Sequence, residues 1–171
     1  VVDLPMILSA VDLVRLHAAD LNASSGTLTQ TGNAATNTMS NLTVNGATVS
    51  WDSGGAGGSL TLAGTLDHNN GAVSFGSKTV TGITNLTILD PSGNFGMDAA
   101  DISVSGNVSI SLLGVGTVTG GTSILRLNGG AAQSVDLGGA ALGDLRNSNA
   151  AADVTVTGTG SVGALTVDAG A

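Results

Sequence analysis

The sequence predicts an all-β fold, and three observations carry that prediction. First, short runs in which two aliphatic residues flank a Thr or Ser recur along the chain: Leu42-Thr43-Val44, Leu60-Thr61-Leu62, Leu86-Thr87-Ile88, Ile102-Ser103-Val104, Val154-Thr155-Val156 and Leu165-Thr166-Val167. Each puts its aliphatics on one face and its hydroxyl on the other, the period of a half-buried strand. Second, Gly, Asn, Asp and Ser punctuate these runs, as in Asp52-Ser53-Gly54-Gly55-Ala56-Gly57-Gly58. Third, the residues that favour helices are scarce: the 171-residue chain has 27 Gly, only 4 Lys and Arg, and 12 acids, all of them Asp.

Taken in order, residues 1–23 differ from the rest. Ser9 followed by Asp12 fits a capping box, and Val11, Val14, Ala18 and Leu21 would share a helical face. The same stretch also reads as strand, with Met6 and Leu8 alternating, so both readings stay open. Its expected role is an N-terminal cap or a segment that docks onto a neighbouring subunit. Residues 24–171 have a uniform Gly/Thr/Asn-rich texture and form one β domain, for which roughly eight or more short strands are expected. The chain opens Val1-Val2 with no initiator Met, which points to a removed leader or a fragment.

Topology rests on an internal repeat. Asn precedes the strand core in Asn41-Leu42-Thr43-Val44, Asn85-Leu86-Thr87-Ile88 and Asn107-Val108-Ser109-Ile110. The last two are one 22-residue step apart, and the first lies two such steps earlier, with a member missing near position 63. A period of roughly 20 to 25 residues suits one turn of a parallel β-solenoid, or β-helix. Three Asn-Gly pairs, Asn45-Gly46, Asn70-Gly71 and Asn128-Gly129, argue instead for hairpins and an antiparallel β-sandwich. Solenoid corners need the same residues, because both tolerate positive φ. The solenoid is favoured, with the sandwich as the alternative.

The stretches Gly121-Thr122-Ser123-Ile124-Leu125-Arg126-Leu127-Asn128-Gly129, Ala132-Gln133-Ser134-Val135-Asp136-Leu137 and 153–170 resemble the repeats of bacterial surface and secreted proteins of the autotransporter-passenger and filamentous-haemagglutinin type. Residues 9–32 are loosely similar. The resemblance implies a right-handed parallel β-helix and a secreted, adhesive or filament-forming role. The irregular repeat length and the short chain depart from that pattern.

Composition excludes several classes. A net charge of −8 with 4 basic residues gives no footprint for nucleic acid. The apolar opening is interrupted by Asp3, Asp12, Arg15 and His17, so no membrane span is expected. With no Cys there is neither a disulfide framework nor a thiolate metal site. Charged residues make up 9%, against about 25% in an ordinary soluble domain.

No motif names a reaction. Gly158-Thr159-Gly160-Ser161-Val162-Gly163 matches a dinucleotide fingerprint, yet Ala164-Leu165-Thr166-Val167 follows as strand where a helix is required. The segment from Asp90 to Asp101 spaces oxygen ligands like a calcium loop, but Phe95 stands where that loop needs Gly, leaving calcium a weak option. His17 and His68 are the only imidazoles; Asp67-His68 invites a relay, and His68 beside Asn69-Asn70-Gly71 reads more simply as a solvated turn residue. Lys78, Arg15, Arg126 and Arg146 are far apart in sequence, and the carboxylates are scattered singly, so no enzyme is expected. Asn22, Asn41, Asn85 and Asn107 head N-glycosylation sequons, three of them coincident with the repeat. Thr is abundant but too irregularly placed along the chain for an ice-binding ladder.

The sequence therefore predicts a non-enzymatic extracellular or cell-surface structural protein. It would be a self-associating subunit of a fibre, sheath or adhesin, without catalytic, cofactor or metal residues. Its partners would be copies of itself, joined at strand edges or end to end with residues 1–23 favoured, and surface glycans. The alternative is a carbohydrate-binding or carbohydrate-active β-helix module, for which Trp51 beside Asp52 is the place to look.

Overall fold

In the computed structural model, residues 2–3, 8–10, 17–30, 36–51, 58–89, 92–112 and 114–168 are described. In chain order their strands are β1 (Val2–Asp3), β2 (Leu8–Ala10), β3 (His17–Ala23), β4 (Thr27–Gln30), β5 (Thr36–Ser50), β6 (Ser59–Leu62), β7 (Leu66–Ser74), β8 (Thr79–Ile83) and β9 (Leu86–Leu89). They continue with β10 (Asn94–Gly96), β11 (Asp101–Val104), β12 (Val108–Ser111), β13 (Thr117–Thr119), β14 (Ile124–Leu127), β15 (Gln133–Asp136), β16 (Asp144–Asn147), β17 (Val154–Thr157) and β18 (Leu165–Val167). No described residue is helical.

Among the described residues every strand pairing is parallel, and the pairings sort into three faces. On face A, β1, β3, β5, β7, β9, β12, β15 and β17 stack in that order. Face B runs β2, β4, β5, β7, β10 and β13, and then continues as single bridges through Ala141 and Ser161. Face C runs β3, β5, β6, β8, β11, β14, β16 and β18. The molecule is a parallel β-solenoid, and no antiparallel pair of a sandwich is present among the described residues.

Alternation fixes which side chains fill the interior. Leu42 and Val44, Leu60 and Leu62, Leu86 and Ile88, and Ile102 and Val104 are all fully buried, while the intervening Thr and Ser point outward. Stacked turns align them into columns, so that Leu21, Leu42, Leu66, Leu86, Val108 and Val135 lie in register on face A. Burial of such a side chain stabilises by about 1.5–3 kcal/mol. All three aromatics join this core: Trp51, Phe75 and Phe95, the last two in edge contact at 5.4 Å.

Residues 2–3, 8–10 and 17–23 are rungs of the same solenoid. Ser9 lies in strand, paired with Thr29, rather than at a helix cap, and Ala18 and Leu21 pair with Met39 and Leu42. Met6, Val11, Asp12, Val14 and Arg15 lie outside the described residues.

The Asn-Gly pairs serve corners, not hairpins. Asn45 pairs in parallel with Asn70 inside β5 and β7, where the chain passes from face A to face B without leaving the strand. Gly71 has φ +100°, and a Cβ there would overlap the Ala47 carbonyl oxygen of the preceding turn; one on Gly93 would overlap the Gly71 carbonyl. The corner can stack only without side chains. We expect Gly71→Ala to cost about 1–3 kcal/mol in denaturant or thermal unfolding. Gly130→Ala, whose Cβ would meet nothing within 4 Å, should be close to neutral.

Candidate functional site

The repeat in the sequence is a ladder of side chains at the corner between faces C and A. By register, Asp20, Asn41, Thr65, Asn85, Asn107 and Ser134 occupy equivalent places immediately before or at the start of the face A strands. The missing member of the repeat is thus Thr65. Each Asn hands its carbonyl oxygen to the turn above: Asn41 Oδ1 accepts from the Thr65 N–H at 2.8 Å, Asn85 Oδ1 from the Asn107 N–H at 2.9 Å, and Asn107 Oδ1 from the Ser134 N–H at 2.9 Å. Asn41 Nδ2 also donates down to Asp20 Oδ1 at 2.6 Å. These corner amides leave the strand ladders, and the Asn side chain supplies the acceptor they would otherwise lack. The step varies, 24 residues from Asn41 to Thr65, 22 from Asn85 to Asn107 and 27 from Asn107 to Ser134. Loops outside the strands absorb that variation.

Where the turn is longest, the extra chain is held by two buried amides. Gln133 Nε2 donates to the carbonyls of Val104 and Gly106, and its Oε1 accepts from the Gly129 N–H and from Asn149 Nδ2. Asn149 Nδ2 donates also to the Ala131 carbonyl, and its Oδ1 accepts from the Ala151 and Ala152 amides. Both side chains use both donors and both acceptors, which is what allows them to sit in the interior.

Face C carries a charge ladder that the spacing in sequence conceals. Arg126 and Arg146 lie in register on β14 and β16, about 4.8 Å apart as neighbouring rungs. Arg126 pairs with Asp101 at 2.7 Å, and Arg146 with Asp168 at 2.7 Å. The hydrogen bond from Arg146, then that from Ser148, holds the Asp168 carboxyl below the usual carboxylate range. Asp168 in turn raises Arg146, through their hydrogen bond first and their Coulomb attraction second. Each guanidinium is already neutralised by its own carboxylate, so the ladder joins turns and offers no open anion site.

The other residues singled out in the sequence do not converge. His68 is fully buried in face A, paired in register with Val44 and Ile88, and its ring stands 5.4 Å from that of Phe95; it is a core residue and not a solvated turn residue. Asp67 points to the opposite side, accepting from Thr65 Oγ1 at 3.0 Å, because neighbours on a strand face opposite ways. The described oxygens of the calcium-like segment are spent separately. Asn94 Oδ1 accepts from the hydroxyls of Thr117 and Thr119, Asp98 from the Ser74 hydroxyl and the Gly76 amide, and Asp101 from Arg126. Asp90 and Pro91 lie outside the described residues, as do 52–57. Among the described residues no three His or carboxylate groups could share a metal ion. Gly158–Gly163 forms the corner between faces A and B, with Ser161 bridging to Ala141 and no helix following. Trp51 is only 2% exposed, Lys78 1%, and His17 enters through its backbone, paired with Thr38.

The feature that alternation alone misses is a group of inward aliphatics in β17 and β18 that stay exposed. Val156, Leu165 and Val167 occupy inward positions, yet in these last described strands they are 43%, 62% and 58% exposed. With Leu127, Leu145 and Val154 they line a cavity of about 100 Å³. Among the other described residues exposed aliphatics stand singly, as Val115 does.

Comparison with known proteins finds no matching family model, no matching curated protein and no matching solved structure.

Two outcomes follow from the buried amides and the charge ladder. Asn149→Leu removes acceptors and donors that the interior cannot replace and should cost roughly 1–3 kcal/mol. The loss should be concentrated in the turns after residue 128, as faster amide exchange there. Asp168 gains its stabilisation in the ionised state, so the contribution is fully present above about pH 4 and fades as pH falls through its lowered folded value. Arg146 keeps its proton throughout that range. The difference in last-turn protection between the protein and Asp168→Asn should therefore be full at neutral pH and shrink in acid.

Proposed function

We propose that this chain is a non-enzymatic structural protein, a self-associating subunit of an extracellular surface fibre, sheath or adhesin. One observation carries the proposal: among the described residues β17 and β18 pair on one side only, and their inward aliphatics Val156, Leu165 and Val167 are exposed. An open edge of this kind templates pairing with another chain unless charge, Pro or a covering element blocks it. Here β17 and β18 offer Val154-Thr155-Val156-Thr157 and Leu165-Thr166-Val167, with no charge inside either strand. Covering Val156, Leu165 and Val167 would contribute on the order of 1 kcal/mol each, beyond the backbone hydrogen bonds gained.

The lateral faces support the same reading. They are columns of Thr, Ser and Asn that bond to one another along the axis, such as Thr61 with Thr81 and Asn94 with Thr117 and Thr119. Their chemistry is spent on holding turns together. The extracellular setting rests on the composition and on the resemblance to bacterial surface repeats. The carbohydrate module has less in its favour, because Trp51, Phe75 and Phe95 are all buried and leave no aromatic platform for a sugar.

Sedimentation velocity and negative-stain microscopy test the proposal. The protein should form elongated assemblies as concentration rises. Val156→Asp combined with Leu165→Arg should leave monomers with an unchanged far-ultraviolet spectrum. A protein that stays monomeric at every concentration would refute self-association.

A further inference from the structure

We propose that Asn70-Gly71 is a self-modifying site. There the chain converts its own asparagine, through a succinimide, to an aspartyl or isoaspartyl residue, with water as the only co-reactant.

Asparagine is chemically labile, most of all before Gly, whose nitrogen no Cβ shields. Two of the Asn-Gly pairs begin the same tripeptide, Asn45-Gly46-Ala47 and Asn70-Gly71-Ala72. Asn45 and Asn70 are also register partners at the corner between faces A and B. In an unfolded chain the two would react alike, because the attacking nitrogen and the residues after it are the same. The fold separates them.

At Asn70 the side chain is turned back onto the backbone. The Gly71 N–H donates to Asn70 Oδ1 at 2.8 Å, and the Ser92 hydroxyl, one turn above, donates to the same oxygen at 2.9 Å. Cγ is bonded to that oxygen, so the rotamer that makes these bonds also holds Cγ beside the Gly71 nitrogen. Such a near-attack arrangement lowers the orientational cost of ring closure. The register steps over Gly71, passing from Asn45–Asn70 to Thr48–Ala72. Asn70 and Gly71 are both half-buried, within reach of water.

The other two pairs lack this arrangement. Asn45 is exposed, and no hydrogen bond among the described residues fixes its carboxamide. The Gly129 N–H donates to Gln133 Oε1 at 2.8 Å, which commits that nitrogen to the buried amide pair.

Solvent hydroxide or water takes the Gly71 amide proton. The nitrogen lone pair forms the N–Cγ bond as the carbonyl pair moves onto Oδ1, where the Ser92 hydroxyl meets the developing charge. That pair returns, the Cγ–Nδ2 bond breaks, and Nδ2 leaves as ammonia after taking a proton from solvent. Water then opens the ring. Hydroxyl added at Cγ gives the aspartyl product, and hydroxyl added at the Asn70 main-chain carbonyl carbon gives the isoaspartyl product. In either case a proton returns to the Gly71 nitrogen, and nothing is oxidised or reduced. The isoaspartyl form lengthens the main chain at a corner where neighbouring turns leave no room even for a Cβ.

Prolonged incubation of the folded chain at mildly alkaline pH, with peptide mapping by tandem mass spectrometry, tests the site. Each conversion exchanges an amide for an acid and raises the mass of its peptide. Asn70 should convert on the order of tenfold faster than Asn45, with Asn128 slowest. In concentrated urea Asn45 and Asn70 should convert at equal rates. Ser92→Ala should slow Asn70 severalfold in the folded chain and leave Asn45 unchanged.

Equal rates in the folded chain, or Asn45 ahead of Asn70, overturn the proposal. A lead at Asn70 that persists in urea assigns it to local sequence and overturns it as well. An Asn70 rate that Ser92→Ala leaves unchanged overturns the part given to the serine.

Discussion

The backbone groups of every strand point along the solenoid axis, so they can be satisfied only by the turn above and the turn below. Main-chain N–H and C=O groups removed from water must be paired, and in a parallel stack the partner always belongs to the next turn. That requirement explains why the strands can be short, why side-chain chemistry is so sparse, and why turn lengths may vary. A loop can grow or shrink provided that the strands return to register.

Corners are where this requirement is hardest to meet, and the chain meets it in three ways. At the junction of faces C and A, the carbonyl oxygens of Asn41, Asn85 and Asn107 accept the amides that the strand ladder leaves over. At the junction of faces A and B, Gly71 and Gly93 let one turn's backbone rest on the carbonyl of the turn before. Where the loop is longest, Gln133 and Asn149 bring a fully bonded amide pair into the interior.

How much was legible depends on whether a feature is local or axial. The alternation of Leu42-Thr43-Val44 and its counterparts is local and reads correctly as strand. The Asn repeat is axial but recurs at nearly constant spacing, so it shows through, apart from Thr65, where a 24-residue step displaces it. The Asn-Gly pairs mislead because a hairpin and a solenoid corner ask the same of the backbone. His68 misleads because its neighbours Asn69-Asn70-Gly71 look like a loop, whereas they continue β7. Arg126 and Arg146 look isolated in sequence and are adjacent in space, since one turn of chain separates neighbours along the axis.

The sequence by itself determined that this protein is built of short strands with aliphatics inward and hydroxyls outward, because side-chain alternation is a property of consecutive residues. It also pointed to a turn of about 22 residues. Only the tertiary structure decided that all the pairings are parallel, that the aromatics and His68 are core, and that Asp101, Arg126, Arg146 and Asp168 form one ladder. It alone showed that Val156, Leu165 and Val167, inward by register, are exposed. Those facts concern which residue lies one turn away, and loops of unequal length hide that from any reading along the chain.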